Sequence, residues 1–416
     1  MLFKSSKKRT TKLIFIALAF VICGVVVYYT LPLISSSNSI EYNTEQKLLE
    51  EKKKIEDKKE VIEETPSESH SQNLIDQYAS IPISHTATPA SVKALYMSGW
   101  VAGSENFRNS LVKIVDETEL NAVVIDIKDS TGRLSFSIDD EEIIKIGSAE
   151  NRIKNVRALT NLLHSKNIYI IGRISVFQDP YLTKVKPEWA VKKVSDGGIW
   201  KDRKGLSFLD PTNKNVHDYV LSIALHSYAL GFDEINLDYI RYPSDGNIKD
   251  INYNLASGAT RSDNIEKFFK YFSTELKKET NIPLSGDLFG LTTEGKDDMG
   301  IGQVWEKALP YFDYLCPMIY PSHYPSGYGG YSNPSLYPYE VIDKALKSAV
   351  AKTTAVGEDT DKIRPWLQDF DMGATYTKEM VKKQIQATYD NGLDSWMLWD
   401  PSNKYTPSAL LLETSN

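Results

Sequence analysis

From residue 93 to residue 416 the apolar residues switch between strand-like and helix-like spacing through eight strand-like runs, and no other feature restricts the fold so tightly. The runs fall at 94–100 (ALYMSGW), 121–129 (NAVVIDIKD), 168–176 (IYIIGRISV), 232–240 (FDEINLDYI), 283–290 (PLSGDLFG), 313–320 (DYLCPMIY), 363–370 (IRPWLQDF) and 395–400 (SWMLWD). Amphipathic stretches such as VRALTNLLHSKN, IEKFFKYFSTELKKETN and MVKKQIQATYDNG lie between them, and several close on Asn or Gly as helix C-termini do. Eight strands, each followed by a helix or a long loop, predict a closed (β/α)8 TIM barrel. A doubly wound open sheet is the alternative, but no glycine-rich phosphate loop follows the first strand. The largest insertions are expected around KKVSDGGIWKDRKGLSFLDPTN and PSHYPSGYGGYSNPSLYPY.

One strand carries an unusual face. In EINLD the residues Glu234, Asn236 and Asp238 alternate with Ile235 and Leu237, so an acid–amide–acid set shares one side of the strand. Carboxylates are not buried without partners, so that face is either wet or a site. Barrel ligands meet residues at the C-terminal strand ends. Asp238 is therefore the first catalytic candidate, with Asp287 of the next strand as its partner, beside small Ser285 and Gly286 that leave room for an approaching group. Asp126, Lys128, Arg173, Arg241, Tyr320, His323, Trp366, Gln368 and Trp399 fall at the same level and form the expected substrate-binding set. Structural alternatives stand beside these readings. Asp238 can close an ion pair with Arg241 or Arg173, Asp126 can pair with Lys128 or Arg173, and Asp287 can cap a helix. Glu234, one repeat deeper, is expected in a buried network.

Two carboxyl groups from neighbouring strands suit glycoside hydrolysis, where one protonates the leaving oxygen and the other attacks or activates water. Asp238 would be nucleophile or base and Asp287 the acid. Aromatic residues expected in the cleft loops, Trp200, Tyr320, Tyr324, Tyr328, Tyr331, Trp366 and Trp399, suit the faces of sugar rings. No G-x-S-x-G, H-E-x-x-H or Walker motif is present, and no cofactor or metal is expected. An oxygen-ligand cation site from Asp126, Asp129 and Asp238 stays open, and with it a metal-assisted hydrolase or deacetylase. A non-catalytic glycan-binding barrel is the other alternative.

The net charge of −7 argues against nucleic acid as a partner. The two cysteines, Cys23 and Cys316, do not make a disulfide framework or zinc site. The N-terminal portion reads differently from the rest. Residues 1–12 are basic, and 13–33 (LIFIALAFVICGVVVYYTLPL) run without a charge for long enough to cross a bilayer as a helix. The preceding Lys and Arg residues put the N-terminus in the cytoplasm and the remainder outside it. A cleaved signal peptide, giving a secreted protein, is the competing reading. Residues 34–92 are expected to be a Lys/Glu-rich stalk and a disordered linker.

The motifs GFDEINLDYIRYPSDG, SGDLFG, CPMIYPSHY, RPWLQDF and SWMLWDPSNKYT, in this order, resemble the glycoside hydrolase domain family DUF4015. The resemblance runs from about residue 94 to residue 406. It implies a TIM barrel related to the α-amylase-like glycosidases, with Asp238 at the position where such barrels keep their nucleophile. Those barrels carry Glu on strand five, and this chain has the shorter Asp287. For an extracytoplasmic barrel of this kind the expected substrate is a cell-wall glycan or exopolysaccharide.

Overall fold

The computed structural model describes residues 82–412. Eight strands form a closed barrel: β1 (Lys93–Met97), β2 (Ala122–Lys128), β3 (Tyr169–Ser175), β4 (Glu234–Asp238), β5 (Leu284–Phe289), β6 (Tyr314–Met318), β7 (Trp366–Gln368) and β8 (Trp396–Trp399). Every neighbouring pair is parallel, and β8 returns to β1 through Lys93 opposite Trp396. The β6–β7 seam is the thinnest, with Met318 opposite Trp366 and one bridge from Leu315 to Ile363. The principal helices are α1 (Glu105–Glu117), α2 (Val156–His164), α3 (Lys214–Ala229), α4 (Arg261–Glu279), α5 (Trp305–Ala308), α6 (Pro338–Ala355) and α7 (Lys378–Asp390). This is the (β/α)8 TIM barrel expected from the alternating pattern. The fifth unit keeps only a short helix, and among the described residues β8 is followed by a single 3-10 turn, Pro407–Ala409.

Two apolar layers follow from the period-two alternation of the strands. Leu95, Ile125, Ile170, Ile235, Leu284, Leu315 and Leu398 face outward and pack with the buried faces of the helices. Ala94, Tyr96, Val124, Tyr169, Ile171, Cys316, Trp366 and Met397 form a second cluster inside the barrel. Two strand glycines sit where an outer-layer side chain crosses them. A Cβ on Gly172 would lie 2.3 Å from Ile127 Cδ1, and one on Gly286 would lie 2.8 Å from a ring carbon of Phe312. Gly286 therefore makes room for an aromatic ring of the outer layer and not, as expected from the sequence, for a ligand.

The lower lumen is closed by ions and phenols. Arg364 Nη1 donates to both oxygens of Glu234 at 2.8 and 3.0 Å, and Tyr169 Oη donates to Oε2 at 3.1 Å. Glu234 and Arg364 are fully buried, so Glu234 belongs to a structural network as expected. The last residues of the expected linker pack across this end. Thr86 N and His164 Nε2 both bond to Asp233, the residue before β4, and His85 stacks on Tyr228 with ring centroids 4.0 Å apart. Thr88 Oγ1 meets Tyr169 Oη at 3.0 Å. Among the described residues no helix is long and apolar enough to cross a membrane, and the charge-free run 13–33 lies outside them.

Candidate active site

At the C-terminal end of the barrel four side chains from successive strands meet around one guanidinium. Arg173 of β3 donates through Nη1 to Asp126 Oδ1 of β2 at 2.6 Å. Its Nε donates to Asp238 Oδ2 of β4 at 3.1 Å, and its Nη2 bonds to the same oxygen. Nε also lies 3.9 Å from Asp287 Oδ2 of β5. Asp238 and Asp287 thus touch the same nitrogen, and their facing oxygens can be no farther apart than those two contacts added together. That bound admits the roughly 5–5.5 Å of a nucleophile–acid pair and the lower end of the roughly 6.5–9.5 Å of an acid–base pair.

The two carboxyls are held differently. Asp287 Oδ1 accepts from Asn236 Nδ2 at 2.9 Å and from Trp366 Nε1 at 2.7 Å, which leaves Oδ2 toward Arg173. Asp287 is 1% exposed; burial, reinforced by the charge of Asp238, pushes its pKa well above the usual carboxylate range. Asp238 is 5% exposed, and its Oδ1 accepts the backbone N–H of Tyr239 at 2.5 Å. Tyr239 has φ +52°, uncommon for an aromatic residue, so the chain turns sharply just past the carboxylate. Burial raises the Asp126 pKa as well, against the opposing pull of Arg173 and of the Tyr96 hydroxyl, which donates to Oδ2 at 2.6 Å. Burial disfavours the Arg173 charge, but Asp238 and Asp126 outweigh it. The arrangement pushes one carboxyl toward its protonated form beside a second paired with a cation, the division that acid and nucleophile or base require.

The expected binding residues separate into three groups. Trp399 is half-buried, stacks on Tyr96 at 4.0 Å and lies 5.1 Å from the Arg173 guanidinium; Tyr320 lines the same lumen and meets the exposed His323 edge-on at 5.2 Å. Trp366 and Gln368 have no exposed face and act from behind. Trp366 holds Asp287, while Gln368 accepts from Ser322 N at 3.1 Å and donates to Phe370 O at 2.9 Å, tying together the β6 and β7 loops. Lys128 does not reach the cluster. The β2–β3 register shifts between Asp126 and Lys128, and the ammonium, fully buried, contacts Asp179 at 2.8 Å and Ser175 O at 2.6 Å. Arg241 lies beyond Asp238 against Tyr239 and Phe289. Trp200, expected in the cleft, is buried in a side cluster with Phe208 and Ile251 beside the two-stranded sheet Lys192–Lys193 and Ile251–Asn252.

The sequence reading missed Asn236 and Trp366 as the donors that fix Asp287. It also missed Asp369 at the end of β7; there and at Asp400, which ends β8, burial lifts the pKa values to about 7 and about 6. Asp369 is tied to Thr406 by the backbone N–H and the hydroxyl, both at 2.8 Å. Among the described residues no group of three or more His, Cys, Asp or Glu is placed to hold a metal ion.

Residues 94–405 match the family model DUF4015, described as "Putative glycosyl hydrolase domain". The chain belongs to this family. Among solved structures, this DUF4015 chain is similar to the glycoside hydrolase domain of PgaB (BpsB) from Bordetella bronchiseptica. The identity is 11% and the TM-score 0.57, over 78% of this chain and 100% of that one. It is also similar to a hypothetical protein from Ruminiclostridium thermocellum, with 34% identity and a TM-score of 0.43 over 50% of this chain and 98% of that one. No curated protein matches the DUF4015 chain.

Proposed function

We propose that this protein is a membrane-anchored, extracytoplasmic glycoside hydrolase that cleaves a cell-wall or exopolysaccharide glycan through Asp238 and Asp287. One observation carries the reading: carboxyls at the ends of adjacent strands lie within 4 Å of the same arginine nitrogen, and burial pushes the pKa of one of them up. Asp287 gives its proton to the leaving oxygen, and Asp238 acts as nucleophile or base. Asp126 and Arg173 fix the charge balance, and Trp399 and Tyr320 offer aromatic faces to sugar rings. The anchor rests on the charge-free run 13–33 and the basic residues before it. The hydrolase reading also draws on the likeness to the PgaB glycoside hydrolase domain. The test is release of reducing ends from a panel of bacterial cell-wall and exopolysaccharide glycans. Asp238→Asn should abolish release while the native circular dichroism spectrum is kept, and a fully active variant sinks the assignment.

A second reading has its own support. Asp238 is closed against Arg173 and only 5% exposed, as in a barrel that binds a glycan without cutting it. It predicts binding that survives Asp238→Asn and no new reducing ends from any glycan.

A further inference from the structure

Among the described residues the buried cations of the upper barrel have carboxylates, and half-buried Arg241 differs from them. Arg173 has Asp126 and Asp238, Lys128 has Asp179, and Arg152 has Asp129 and Glu150. Arg241, three residues beyond Asp238, has none among the described residues. Its Nη1 donates to Tyr242 O at 3.0 Å and to Ser244 Oγ at 3.4 Å, and no acceptor meets its Nε or Nη2. The guanidinium lies 5.4 Å from the Tyr239 ring centre and 5.0 Å from that of Phe289. Aromatic contacts of this kind hold the group in place without using its in-plane donors. The turn that brings it there begins at Tyr239, whose positive φ costs about 1–3 kcal/mol, a strain that clusters at functional positions. Burial lowers the Arg241 pKa, with Tyr239 and the carboxylates of Asp238, Asp245 and Asp202, none of them in an ion pair with it, acting the other way. A guanidinium nevertheless stays charged near neutral pH, so the mouth presents a planar cationic fork beside the carboxylate pair.

We propose that Arg241 reads a monoanionic oxyanion substituent on the glycan, so that the substrate class is an acidic polysaccharide. Two sources share this chemistry: the carboxylate of a uronic acid and a phosphodiester. A planar fork binds either through paired N–H donors. The assignment rests on the glycan-handling reading but not on cleavage.

The test is calorimetric binding to the full-length protein with two matched probe pairs. One pair is a hexuronate-containing oligosaccharide and its carboxyl-reduced form; the other is a glycerol-phosphate-substituted oligosaccharide and its dephosphorylated form. A charge-assisted hydrogen bond is worth about 1.5–3 kcal/mol, roughly a 10- to 100-fold preference for the anionic member. Arg241→Gln should erase that preference. Arg241→Lys, which keeps the charge and loses the fork, should restore only part of it. The pair that shows the effect identifies the source of the anion. No preference in either pair, including no binding at all, overturns the proposal, as does a preference that Arg241→Gln leaves intact. If the preference appears and neither probe is cut, the hydrolase reading falls and this one stands; cleavage without preference has the reverse meaning.

Discussion

Replacing Trp366 with Phe removes one of the two donors on Asp287 Oδ1, the 2.7 Å bond from the indole N–H, and leaves the 2.9 Å bond from Asn236. Donors to a carboxylate favour its ionised form, so losing one moves the pKa further up from a value that burial already holds high. A hydrogen bond to a charged group is worth about 1.5–3 kcal/mol, and the ionised form loses that support. Asn236 still serves the same oxygen, so a loss at the lower end is expected. The assay is isotope-edited infrared titration of the protonated carboxyl C=O band, with Asp287→Asn as the blank; it needs no substrate. The wild type should show the band at neutral pH, and Trp366→Phe should carry it to higher pH. Absence of an Asp287 band at pH 7, or a shift downward, would refute the account of how this acid is kept protonated. Linkage supplies a second readout. A carboxyl whose folded pKa is raised contributes stability that is present below about pH 4, the unfolded value, and lost as pH rises toward the folded one. The stability of the wild type relative to Asp287→Asn should therefore fall with rising pH, by up to about 1.4 kcal/mol per unit.

Three further outcomes follow from the packing. Glu234→Gln leaves the Arg364 guanidinium buried without its counter-charge and should cost about 3–5 kcal/mol in urea unfolding, whereas the paired change Glu234→Leu with Arg364→Met should recover most of that loss. Gly286→Ala drives a methyl into the Phe312 ring and should destabilise the barrel by about 1–3 kcal/mol, read as a lower urea midpoint at constant slope. Burial raises the Asp233 carboxyl, but His164 and His85 outweigh it and hold its pKa below the usual value. Its contribution is thus present above about pH 4 and lost as pH falls, so Asp233→Asn should flatten the acid limb of a stability-versus-pH curve.

The barrel and its acidic face were legible because strand geometry makes them so. Alternate residues of EINLD must share a face, and in a closed sheet that face is either helix-packed or inside. The convergence of Asp126, Arg173, Asp238 and Asp287 follows from four consecutive strands ending at one level. Other features depend on contacts that no local pattern encodes. Trp366 reaches Asp287 across 79 residues of sequence, and only the path of the closed sheet brings β7 opposite β5. Lys128 has the same parity as Asp126, yet a register shift between them hands it to Asp179. Gly286 was readable in principle, since its neighbours Ser285 and Asp287 bond with Asn236 on the inner face and an odd position between them must look outward. Trp200 left the cleft because its insertion forms a small core of its own.

The segment that ties Thr86 to Asp233 and Thr88 to Tyr169 has a mechanical meaning. Tension applied at residue 82 acts on the end of the barrel opposite Asp238. These few side-chain contacts, with the His85–Tyr228 stack, bear the load first and peel one at a time. Behind them stands β1, hydrogen-bonded to β2 on one edge and β8 on the other, so the force along it is met in shear by two ladders at once. The segment is a compliant leader on a stiff body: it can yield under drag while the geometry of the carboxylate cluster stays unloaded.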